Sequence, residues 1–114
     1  MIAVIFEVIP RPDQTETYLQ QAAALLPLLN DQPGFISVER FASLTNPSKL
    51  LSLSFFETEA DVAMWRNRVE HRRAQSAGRH DVFADYRIRI ASVIRDYGLT
   101  DREQAPTDSR DHHD

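Results

Sequence analysis

The chain contains no cysteine. Disulfides, thiolate nucleophiles, iron–sulfur clusters and cysteine-ligated zinc are therefore excluded, and a disulfide-stapled secreted fold is not expected. Only three glycines occur in 114 residues. They form neither a phosphate-cradling loop nor GxGxxG, so a nicotinamide or flavin site of the usual kind is not expected. HExxH and the nucleophile-elbow pattern are also missing. No apolar run approaches the length of a membrane span. The opening MIAVIFEVIP lacks the basic flank and small-residue cleavage site of a signal peptide, which points to the cytoplasm. Positive charge is not in excess either: 13 Lys and Arg stand against 17 Asp and Glu, a net charge of −4. Binding nucleic acid by bulk electrostatics is not expected.

What remains is an ordinary globular composition, 42% hydrophobic and 26% charged. The length suits a single domain of high surface-to-volume ratio, a kind that often gains buried area by pairing with a copy of itself. Residues 2–9 are β-branched and aromatic and stop at Pro10 and Pro12, which predicts a first strand. Ile2, Val4, Phe6 and Val8 share one side; Ala3, Ile5, Glu7 and Ile9 share the other. Both sides are mostly apolar, so both should be covered. Glu7 is the exception, either a solvated strand end or a substrate-binding group.

Residues 13–29 read as a helix, with Asp13 and Glu16 as a capping-box-like start and an apolar face of Tyr18, Ala22, Leu25, Leu26 and Leu29. Pro27 should kink or loosen its last turn. Residues 35–42 and 50–56 alternate with period two and flank Asn46-Pro47, which predicts an antiparallel hairpin. Thr58 to Asp61 is a second capping box. A helix should follow through Trp65 to about Arg68, then a second piece from about Val69 to Ala77 capped by Gly78. Residues 86–95 alternate again as the fourth strand. Beyond Gly98 periodicity is lost, and residues 99–114 read as a polar, flexible tail following a domain at residues 1–98. The order β-α-β-β-α-β is that of the α+β ferredoxin-like fold, a four-stranded antiparallel sheet with both helices on one face. A second subunit would most simply cover the other face, giving a homodimer through sheet faces.

Chemistry is most expected in residues 58–79, which hold the only tryptophan and His71. Trp65 at helical spacing is either core or an aromatic wall. His71 is either a surface histidine among arginines or an acid, base or metal ligand. Asn67 is a helix terminator or an oxyanion donor, and Arg79 is able to pair with an anionic substituent. An aromatic wall with polar groups suits a flat aromatic or quinone-like small molecule.

The run Trp65-Arg66-Asn67, His71-Arg72-Arg73-Ala74-Gln75, Gly78-Arg79, then Tyr86-Arg87-Ile88 and Arg95-Asp96-Tyr97-Gly98, resembles the antibiotic biosynthesis monooxygenase family of dimeric α+β barrels. Gly34-Phe35 opening the second strand resembles it too. The resemblance covers roughly residues 1–98. It implies oxidation of a small aromatic or quinol with O2 and no cofactor, with Trp65 and His71 as catalytic residues orienting the substrate. Haem-degrading members supply the alternative of a haem cofactor. Those members use an asparagine near the end of strand one, where this chain has Phe6 and Glu7, and a later histidine, where it has Ala74 and Gln75. The polyketide oxidases place an asparagine one turn before the tryptophan, where this chain has Asp61. A non-catalytic dimeric ligand-binding domain is the remaining alternative; it would pack Trp65 without a cavity beside it.

Overall fold

The structure, a computed structural model, describes residues 1–114 except for the side chains of Val69 and Glu70 and the surroundings of Gly78. The expected cap at Gly78 therefore lies outside the described residues. Strand β1 (Ile2–Pro10) leads into helix α1 (Thr15–Asn30). Strands β2 (Phe35–Ala42) and β3 (Leu50–Phe56) form the expected hairpin. Helices α2 (Glu59–Arg66) and α3 (Val69–Ala77) and a π-helical turn (Gly78–Val82) precede β4 (Phe83–Ser92), and α4 (Thr107–His113) lies in the tail. The sheet order is β2-β3-β1-β4, antiparallel throughout, which is the ferredoxin-like arrangement.

Register decides which residues meet the helices. Arg40 faces Ser52, Ser52 faces Phe6, and Phe6 faces Ile88, giving one row across all four strands. Val38, Ser54, Val4 and Ile90 make the adjoining row. Side chains alternate along each strand, so both rows share a face. That face packs on the helices through Leu29, Phe56, Val62 and Trp65 at one end and Val8, Tyr18 and Val82 at the other. Phe56 is 1% exposed and rests edge-on against Phe35, ring centroids 5.7 Å apart.

Three local expectations change. Helix α1 starts at Thr15, and its N-cap Gln14 makes no side-chain capping bond. Asp13 sits in a tight turn in which the Gln14 amide donates to the Arg11 carbonyl, one residue before the N-cap position. Pro27 lies inside the last turn of α1, which runs to Asn30. A register shift between Phe35 and Ser37 leaves Ile36 unpaired and turns Phe35 onto the helix side, with Val38 and Arg40. Strand β4 begins at Phe83, earlier than its alternation suggested, because Phe83 pairs with Pro10 past an irregularity at Ile9 and Pro10. The Thr58 capping box forms as expected: the Asp61 amide donates to Thr58 Oγ1 at 3.1 Å.

Gly34 closes the turn into β2 with φ +80°. A Cβ there would stand 2.0 Å from Asp61 Oδ2. Glycine thus serves two ends, a left-handed backbone and a close approach to the first turn of α2.

The tail carries α4 and side-chain bonds of its own. Arg102 donates to the Gly98 carbonyl and to Ser109 Oγ and pairs with Asp114. Arg110 donates to the carbonyls of Ala105, Arg102 and Glu103. These bonds close a small knot around Ala105, while Ile94 and Leu99 remain almost fully exposed.

Candidate functional site

Between the helices and the helix-facing side of the sheet lies a cavity of about 530 Å³, partly open to solvent. That volume suits a small organic ligand. Its floor is built from the two cross-strand rows. Leu25 and Leu29 of α1 lie above, and Trp65 and His71 form a wall. Tyr86, Ile88 and Ile90 of β4 also line it while staying exposed, Ile88 by 51%, as do Leu26 of α1 and Arg72 of α3.

Helix α2 buries Trp65 to 8% exposure against Leu29, Phe56 and Val62. The chain leaves α2 at Asn67 and re-enters a helix at Val69, and this break lets His71 fold back onto the indole. The two rings stack at 4.7 Å with 22° between planes. His71 Nδ1 lies 3.3 Å from the Trp65 carbonyl, a group that only accepts, so in the neutral imidazole Nδ1–H donates and the lone pair sits on Nε2. Burial lowers the His71 pKa below the ordinary 6.5, and the neighbouring Arg72 charge pushes the same way. The Trp65 carbonyl opposes them more weakly than burial acts. The imidazole is thereby held as a neutral base at neutral pH. The Arg68 guanidinium lies 5.8 Å from the centre of the Trp65 ring system.

The other expected residues divide. Arg79, from the π-helical turn, lines the cavity with Trp65 and His71. Asn67 does not: it ends α2, its Nδ2 donates to the Ala63 carbonyl, and its Oδ1 accepts from Arg72 at 2.6 Å. Glu7 lies on the other face of the sheet, since odd positions of β1 point away from the helices. There it accepts from Arg89 at 2.8 Å and pairs with Lys49 at 3.3 Å, and both bonds hold its carboxyl below the usual range.

Residues not singled out from the sequence also meet the ligand space. Arg40, Ser52 and Ser54 come from the strands, and Tyr18 and Gln21 from α1. An available signal was the side Arg40 shares with Val38, an arginine among inward positions. Among the described residues no Asp or Glu lines this cavity, whereas Arg40, Arg66, Arg72 and Arg79 do. Among the described residues, no group of three or more His, Asp and Glu gathers as a metal site, and no helix is long and apolar enough to cross a membrane.

Residues 1–77 match the antibiotic biosynthesis monooxygenase family. A Pyricularia oryzae protein named jasmonate monooxygenase ABM is 44% identical over 93 residues, 82% of this chain but 43% of that protein. The chain thus spans less than half the length of that relative. The Bacillus subtilis protein YqjZ is 30% identical over 93 residues, covering 82% of this chain and 79% of its own. Among solved structures, Rv0793 of Mycobacterium tuberculosis superposes with a TM-score of 0.76 at 13% identity, over 85% of this chain and 98% of that one. At that identity the likeness is one of fold.

Proposed function

The chain belongs to the antibiotic biosynthesis monooxygenase family, and on that premise we propose that it oxidises a small phenol or quinol with O2, using no resident cofactor. The observation that carries this reading is a neutral imidazole stacked on the only tryptophan at the wall of a solvent-connected cavity. A domain serving only to pack would have no reason to leave about 530 Å³ beside Trp65.

In this mechanism Trp65 and the sheet floor hold the aromatic ring flat. His71 Nε2 accepts the phenolic proton, and Arg79 faces the resulting anion. The anion is electron-rich at the ring carbon para to its oxygen. That carbon gives electrons to O2, a C–O bond forms, and the hydroperoxide loses water. A phenol with a free para position and one O2 become a quinone and one water. Asn67 holds Arg72 in place rather than touching substrate, and Glu7 has no part in this site.

The protein works as a homodimer in the cytoplasm. The outer sheet face presents Ile5, Leu53 and Phe55, with Phe41 43% exposed, beside the Glu7, Lys49 and Arg89 cluster. A second copy buries this single-layer face by matching the same patch to itself.

Oxygen uptake with a panel of quinols and phenols tests the reaction, with jasmonate included because the Pyricularia relative carries its name. His71→Ala should lose on the order of 10²-fold or more in kcat. Uptake unchanged in that variant refutes the assignment. A haemin titration alongside should give no Soret band that depends on His71; a band lost in His71→Ala would favour haem as cofactor.

A further inference from the structure

We propose that Arg40 anchors a carboxylate, so that the substrate is a small aromatic acid lying with its ring against Trp65 and its carboxylate on β2. The assignment rests on the reading above that this cavity holds the substrate.

Arg40 sits in the middle of β2 on the helix side, in the row with Ser52, Phe6 and Ile88. Its Nε is buried and has no hydrogen-bond partner among the described residues. Burying an unpaired donor on a cation is costly, and such groups normally keep an anion beside them. The guanidinium carbon lies 6.0 Å from the centre of the Tyr18 ring. That ring attracts the cation through its π face but gives Nε–H no oxygen to bond. Among the described residues no Asp or Glu lines the cavity to serve instead. Arg72, by contrast, is already engaged by Asn67 and Gln75. A ligand carboxylate would supply two oxygens in the plane of the guanidinium edge, one for Nε–H and one for an Nη–H. The apolar floor from Phe6 to Ile88 would take the rest of the molecule.

Chain composition points to a carboxylate rather than a phosphate. A phosphate dianion calls for more donors, commonly a glycine-rich run of backbone amides, which this sequence lacks.

Calorimetric titration of the purified protein with 2-naphthoate, 2-naphthamide and 2-naphthyl phosphate tests the anchor without turnover. The acid should bind about tenfold or more tightly than its neutral amide. Arg40→Gln should erase that preference and leave amide binding in place, which also shows the variant folded. Arg40→Lys should restore part of it, and Arg79→Gln should keep it. Equal affinity of acid and amide, no binding of either, or a preference that survives in Arg40→Gln or disappears in Arg79→Gln overturns the proposal. So does loss of both ligands in Arg40→Gln, which would make Arg40 a packing residue, or phosphate binding as tightly as the acid. Failure of the oxidase reading is separate: acid preference through Arg40 with no oxygen uptake on any substrate leaves the anchor standing and removes the monooxygenase.

Discussion

Replacing Gly34 by alanine tests how the turn before β2 fixes the helix that carries Trp65. Glycine holds φ +80° there. For alanine that left-handed backbone costs about 1–2 kcal/mol, offset by about 0.4–1 kcal/mol from a stiffer unfolded chain. The new Cβ would lie 2.0 Å from Asp61 Oδ2, 2.1 Å from Cγ and 2.8 Å from Cβ. The carboxylate can swing away, but it then loses the bond that Thr58 Oγ1 donates at 2.8 Å and its place at the positive end of α2. That loss is worth roughly 0.5–2 kcal/mol. The contact with Asp61 Cβ is not relieved by rotation, so the turn and α2 must also move apart. Together these amount to about 1–4 kcal/mol, measured by urea unfolding at fixed protein concentration so that association does not enter. In an Asp61→Ala background two of the three clashes are gone, and the cost should fall by about 1–2 kcal/mol. A cost below about 1 kcal/mol, or one that is the same in both backgrounds, would refute the coupling of turn and helix.

His71 gives a pH signature with a definite sign. Its folded pKa lies below the ordinary 6.5, so as pH falls through 6.5 the unfolded chain takes a proton that the fold excludes. Stability therefore drops, levelling off below the folded value; His71→Phe should flatten this part of the urea-midpoint profile between pH 7.5 and 5, and an unchanged slope would contradict the burial. The acid limb of kcat/KM should likewise lie below pH 6.5. Leu53→Arg, on the outer face, should convert a dimer to a monomer in sedimentation velocity, and a wild-type monomer at micromolar concentration would dismiss the dimer.

The sheet was legible because alternation fixes parity. Once Ile2, Val4 and Phe6 face the helices, the register of the whole floor follows. Phe35 escaped that logic because an unpaired Ile36 shifts parity, and a bulge leaves no mark in composition. Trp65 and His71 stood out as a lone indole and an imidazole after a helix break, and the structure brings them together. Asn67 had suitable chemistry, but its direction was set by the end of α2, where its amide satisfies a terminal carbonyl. Glu7 occupied an odd position, and its parity already placed it away from the floor. Arg40 stayed hidden because an arginine on an edge strand ordinarily reads as solvated, and only the structure buries its Nε and sets the guanidinium near Tyr18 of α1.

One wall of the cavity is β4, an edge strand paired with β1 over its whole length. Tyr86, Ile88 and Ile90 face the ligand space at every second position of a hydrogen-bonded strand. Substrate choice can therefore drift by single replacements at these three places, with no insertion and no rebuilt loop. A scaffold of this kind diversifies in small steps while its frame stays constant.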